Sequence, residues 1–242
     1  MVADNHRLHK GLHIKQNKVI SYYFDFLSPY SYLSWHWVRK QVLDQKLSID
    51  LIPVFMIKVI KNYTDTGPAE IPPKRDYLFK TCQRVARQNL IPFNIPGRLP
   101  FNSLHALRLS LKETSNKQFE IIDAIFMAGW AEGRDIGDKE VLKDILLSIK
   151  LPADELMDKI SGKECGLSLK ENTKNAISNN VFGVPTFIAD NELFWGNDSI
   201  PFLEMFLHGK DLLNDSDLEM FVDFQKSYDA VSKSVRYSKE NL

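Results

Sequence analysis

Four consecutive residues, Ser28-Pro29-Tyr30-Ser31, carry the first sign of chemistry in this sequence. They follow an apolar run, VISYYFDFL, and precede residues Tyr32, Leu33, Trp35, Val38 and Val42, which recur at helical spacing. Serine followed by proline is a favoured helix opening: the hydroxyl caps, and proline costs nothing where an N–H has no intrahelical partner. Such an opening offers unsatisfied N–H groups and the positive end of the helix dipole, which together suit an anion. Hydroxyls at 28 and 31 cannot form a disulfide. The two cysteines, Cys82 and Cys165, lie far from the motif and lack the spacing of a redox pair or a zinc site, so we read both as reduced and structural and expect no metal. An anion at Ser28 would therefore come from outside the chain. A serine cap alone is commonplace; a second cluster far downstream, FGVPTFIADNELFWGND, adds to its weight.

The elements that must join these segments follow from periodicity. Val19 to Leu27 reads as a strand buried on both faces, the helix behind Ser28 ends near Gln45, and Leu47 to Phe55 reads as a second, parallel strand. After a loop with Gly67, Pro68, Pro72 and Pro73, helical spacing runs from Tyr77 to Gln88. Beyond a proline-rich turn it resumes over 103–113, 117–132, 139–149, 153–161 and 168–179. Strand character returns after Gly183: PTFIAD and ELFWG flank a polar turn at Asn191, as in a hairpin, and a helix from Ser199 to Leu207 closes at Gly209. The order βαβ, helices, ββα places the chain in the α/β class, as a thioredoxin-like fold interrupted by an α-helical insertion domain. We assign 19–60 and 180–210 to the thioredoxin-like domain and 61–179 to the insertion; 1–18 is an N-terminal extension and 211–242 a C-terminal helix with a mobile tail. In such a sheet the loop before Pro185 lies beside Ser28.

Lys and Arg total 31, as do Asp and Glu, so the formal charge is zero and the chain lacks the basic field of a nucleic-acid binder. A composition 44% hydrophobic and 26% charged fits a soluble globular protein. The expectation is a cytoplasmic protein without membrane or nucleic-acid partners, since neither a secretory h-region nor a run of about 18 apolar residues occurs. Asp4 and the lack of serine in the first 18 residues argue against a transit peptide.

The motifs YFDFLSPYSYL, VFGVPTF and LFWGND, with GPAEIPPKRDYL and AIFMAGWAEGRDIGD between them, resemble the 2-hydroxychromene-2-carboxylate isomerases and the related kappa-class glutathione transferases of the DsbA-like thioredoxin superfamily, over about residues 19–208. The resemblance implies glutathione as cofactor and Ser28 as the catalytic residue that contacts its sulfur. It implies a cis Val184–Pro185 bond whose backbone pairs with the cysteinyl part, and Trp195, Gly196, Asn197 and Asp198 around the γ-glutamyl end. Asp198 either meets the γ-glutamyl ammonium or caps the helix that follows, or does both. Lys74 aligns beside glutathione; Lys61 and Tyr30 align beside a small aromatic carboxylate substrate. Departures from the family pattern are Asp65, where asparagine is frequent, and Ser199, where arginine is common. Tyr32, Trp35, Trp37 and Trp130 read mainly as core. The implied reaction interconverts 2-hydroxychromene-2-carboxylate and trans-o-hydroxybenzylidenepyruvate by reversible thiolate addition. A kappa-like transferase that leaves the sulfur on an electrophile, and a redox-inactive thioredoxin-fold binding module, are the alternatives; relatives suggest a homodimer.

Overall fold

The aromatic run that ends before Ser28 becomes the inner strand of a four-stranded sheet in the computed structural model, which describes residues 19–234. The extension 1–18, with the transit-peptide question, and the end of the tail lie outside the described residues. Strand β1 (Val19–Phe24) pairs in parallel with β2 (Ser48–Pro53), with Tyr22 opposite Leu51. On its other side it pairs antiparallel with β3 (Thr186–Ala189), which pairs in turn with β4 (Glu192–Trp195). The hairpin turn places Asp190 and Asn191 at φ 49° and 69°, the left-handed pair that two-residue hairpins require and that these residue types tolerate. The chain is an α/β protein of thioredoxin-like fold.

Helix α1 (Pro29–Leu43) connects β1 to β2. The buried Tyr22 hydroxyl fixes its first turn to the sheet by donating to the Ser31 carbonyl at 2.8 Å and sharing a 2.9 Å hydrogen bond with Ser34. Around this joint lie fully buried rings of Phe24, Phe26, Trp35, Phe126 and Phe187, each contributing about 1.5–3 kcal/mol by leaving water. The strand ends at Phe24, three residues short of expectation, because the Asp25–Ser28 turn begins there: Ser28 N–H donates to the Asp25 carbonyl at 3.1 Å.

Between β2 and β3 come α2 (Met56–Tyr63), α3 (Pro72–Gln88), α4 (Leu104–Leu109), α5 (Gln118–Phe126), α6 (Lys139–Ser148), α7 (Ala153–Ser161) and α8 (Lys163–Ser178). Most of this interruption is the segment we propose as the insertion domain. Helix α2 is absent from the sequence reading, which has strand and then loop there. Its N-cap, Phe55, supplies no side-chain bond, and the donors at its start are met from afar: Phe55 N–H by Thr173 at 3.0 Å and Met56 N–H by Asp25 at 2.9 Å. Helix α3 starts at Pro72 rather than Tyr77, since two prolines fit the first turn of a helix, where no N–H is needed. Helix α8 starts at Lys163 rather than Ser168; Arg108 lies over Gly166, which interrupts the helical pattern, and binds the Ile160 carbonyl at 3.1 Å. The stretch read as one helix over 117–132 breaks into α5 and a π turn, Met127–Ala131.

After β4 a 3₁₀ turn (Asn197–Ser199) leads into α9 (Ile200–Leu207), and α10 (Asp215–Ser234) follows. Residues 19–203 form one compact unit and 204–234 belong to a second. No helix among the described residues is long and apolar enough to cross a membrane.

Candidate active site

Ser28 is the N-cap of α1, in extended conformation (φ −90°, ψ 115°) and 4% exposed. Its oxygen accepts the Ser31 N–H at 3.2 Å, and its proton goes to the Val184 carbonyl at 3.3 Å. An O–H···O bond of that length is weak, so the proton can be redirected to a stronger acceptor at little cost. Ser31 is fully buried, and its hydroxyl has no hydrogen-bond partner among the described residues. Of the motif's two serines, only Ser28 retains contact with the surface.

The Val184–Pro185 bond is cis, and the residues around it are fastened on both sides. Thr186 Oγ1 donates to the Gly183 carbonyl at 2.7 Å, and Gly196 N–H donates to the Pro185 carbonyl at 2.9 Å. The half-exposed Trp195 ring covers Gly183, where a Cβ would come within 2.7 Å of the indole nitrogen. Gly196 has φ 92°, and a Cβ there would collide with the Asp198 carboxylate. Ser199 closes this turn, its hydroxyl donating to the Gly196 carbonyl at 2.8 Å. Asp198 stays exposed beside it.

Tyr30, partly buried in the first turn of α1, faces Cys82 and Tyr77 of α3 and Asp198. Burial first, then the thiol, the carboxylate and the second phenol, push its hydroxyl well above the usual tyrosine range. The sequence reading places Tyr30 with the substrate; in the structure it lies beside Asp198. Burial pushes the Cys82 thiol up to about 12, so it holds no thiolate near neutrality. Cys165 is buried against Thr114 and the Lys159 carbonyl; both cysteines are free and buried, as expected for reduced structural residues.

Lys61 and Lys74 are exposed on neighbouring helices. Lys61 occupies the last turn of α2, where the dipole favours a cation. Lys74 occupies the first turn of α3, against the dipole and with no acidic residue in that turn, three positions before Tyr77 on the same face. A purely local reason therefore accounts for Lys61 but not for Lys74. Thus Ser28, Val184 and Pro185 meet directly, Trp195, Gly196 and Asp198 are fastened to them, and Asn197 lies in the same 3₁₀ turn. Asp65 is exposed between α2 and α3. Tyr32, Trp35 and Trp130 are fully buried core residues, and Trp37 meets Phe187 edge-on at 5.6 Å.

Sequence reasoning missed Asp25. It is fully buried, with Oδ1 accepting Leu27 N–H and Oδ2 accepting Met56 N–H, each at 2.9 Å. Burial raises its carboxyl from 3.8 to about 6, against the pull of those two bonds and of the Ser103 hydroxyl. The available signal was one charge inside an otherwise apolar strand run, which has to find partners if buried.

Residues 19–208 match the family described as the DSBA-like thioredoxin domain. The chain is 32% identical over 190 residues to the 2-hydroxychromene-2-carboxylate isomerase of Pseudomonas sp. (strain C18), a match covering 77% of this chain and 88% of that protein. It is 27% identical over 206 residues to glutathione S-transferase kappa 2 of Caenorhabditis elegans, covering 78% and 92%. A solved structure of 2-hydroxychromene-2-carboxylate isomerase superposes with a TM-score of 0.73 at 26% identity, covering 78% of this chain and 94% of the other.

Proposed function

This chain belongs to the 2-hydroxychromene-2-carboxylate isomerase family within the DSBA-like thioredoxin domain proteins, and we propose that it is a glutathione-dependent isomerase of that type. The observation that carries the reading is the Ser28 hydroxyl at the head of α1, touching the carbonyl before cis-Pro185, in a chain whose two cysteines are buried. The residues fit a tripeptide thiol: a hydroxyl with an exchangeable proton, a helix N-terminus, a half-exposed indole and an exposed carboxylate stand together.

Bound there, glutathione supplies a thiolate that adds reversibly to the conjugated double bond of the substrate and so permits its rotation. Ser28 turns its proton from the Val184 carbonyl toward the sulfur, and the α1 N-terminus favours negative charge at that point. Val184 and Pro185 offer extended backbone to the cysteinyl part, while Trp195, Gly196 and Asn197 frame the γ-glutamyl end and Asp198 faces its ammonium. Tyr30, being partly buried beside Asp198, keeps a neutral hydroxyl there as a donor. Lys74 holds a carboxylate of glutathione, and Lys61 that of the aromatic substrate. Two buried free thiols suit the reducing cytoplasm, and a homodimer is part of the reading.

Conversion of 2-hydroxychromene-2-carboxylate, followed by absorbance with and without reduced glutathione, tests this reading: turnover should require the thiol, and equal rates without it would overturn the mechanism. Similarity to a kappa-class transferase sustains a second reading, which a stable glutathione conjugate among the products would favour. The Gly196→Ala variant should bind reduced glutathione about tenfold more weakly by calorimetry, because positive φ costs about 1–3 kcal/mol for a residue with a Cβ and the Asp198 carboxylate must move. Unchanged affinity would remove Asp198 and its turn from the site.

A further inference from the structure

We infer that Trp130 is a positioning residue for the thiolate site, its indole N–H fixing the loop that presents Ser28. The inference rests on the glutathione reading of that site, and its evidence lies outside the site's own residues.

The loop consists of Asp25, Phe26, Leu27 and Ser28, and two of its N–H groups are held within it. Ser28 N–H donates to the Asp25 carbonyl at 3.1 Å and Leu27 N–H to Asp25 Oδ1 at 2.9 Å. The sheet ends one step earlier, where Val54 N–H takes the Phe24 carbonyl at 2.9 Å. The Phe26 carbonyl is therefore past the ladder, on a fully buried residue, and its donor is Trp130 Nε1 at 2.8 Å.

Trp130 is built to deliver that N–H. It is fully buried in the π turn after α5, whose surplus residue swings the indole off the register of an uninterrupted helix. Gly129 lets the turn close against Ile136, since a Cβ there would stand 2.9 Å from Ile136 Cδ1. The ring stacks on Phe93 at 5.6 Å and 17°, and its own carbonyl accepts Asn94 N–H at 2.6 Å. Packing alone would be met by any large ring; a donor aimed at Phe26 is met only by the indole nitrogen. Without it a buried carbonyl two residues before Ser28 loses its partner, and the loop rearranges to find another.

The test compares wild type with Trp130→Phe and with β-(3-benzothienyl)alanine incorporated at 130, which keeps the bicyclic shape and replaces the N–H by sulfur. The pKa of bound reduced glutathione, titrated by thiolate ultraviolet absorbance, should rise by about one unit in both, a tenfold smaller thiolate ratio, with affinity changed less than about threefold. Amide exchange at Leu27 and Ser28, measured without ligand, should quicken about tenfold relative to β1. A lowered Tm with both readouts unchanged in the benzothienyl protein would mean that Trp130 only packs, and would overturn the inference. If wild type fails to lower the thiol pKa, the glutathione reading fails, and the ligand-free exchange still decides the role of Trp130.

Discussion

Replacing Ser28 by alanine is expected to slow glutathione-dependent turnover about a hundredfold, the scale of losing one donor aimed at a developing or held negative charge. The hydroxyl has two roles in the free protein, accepting from Ser31 and donating to Val184, and only the second is exchangeable for a ligand. Alanine also removes the cap, which costs about 1 kcal/mol of helix stability. The two effects separate cleanly. A Ser28→Thr variant restores the cap and a hydroxyl, and should recover most of the rate. Calorimetry should show glutathione bound to Ser28→Ala through the cis-Pro185 and Asp198 ends of the site, with its thiol pKa returned toward the free value. Wild-type turnover in Ser28→Ala, at saturating glutathione, would remove the serine from the mechanism.

Asp25 should make the protein less stable as the solution becomes less acidic. Its carboxyl sits at about 6 in the fold against an ordinary 3.8, so between those values the folded chain binds the extra proton and the unfolded chain does not. Stability from this group is therefore fully present below about 3.8 and is lost as pH rises through about 6, amounting to about 3 kcal/mol. The direction is opposite to that of a salt-bridged aspartate. Urea denaturation of wild type and Asp25→Ala at pH 4 and pH 7.5 checks it. The wild type's advantage should shrink by about 2.4 kcal/mol across that interval, since at pH 4 the unfolded group is already mostly ionised, while the variant stays deficient at pH 4, where it leaves Leu27 and Met56 N–H groups without acceptors. A difference that does not vary with pH would show that Asp25 titrates normally.

The two residues also show why one part of the site is legible in a linear reading and another is not. Ser28 announces itself because capping is local: the hydroxyl, the proline after it and the helical spacing beyond lie within a few residues. Asp25 has its decisive long-range contact at Met56, which no window around position 25 contains. The same reason hides α2, whose first donors are met by Asp25 and Thr173. It also hides the start of α3, where a proline pair reads as loop until the chain is seen to turn into the helix on it.

Patterns that repeat along the chain were sufficient for the strands, the hairpin at Asp190-Asn191, the α/β class with its helical interruption, and the motifs that carry the family resemblance. Hydrophobic period and turn chemistry act over neighbouring residues, so the order of side chains encodes them directly. Which buried donor meets which buried acceptor was settled only in three dimensions: Trp130 with Phe26, Asp25 with Met56, and Ser28 with Val184. These pairings join residues from about thirty to more than a hundred and fifty positions apart, and burial, by removing water as an alternative partner, makes each of them obligatory.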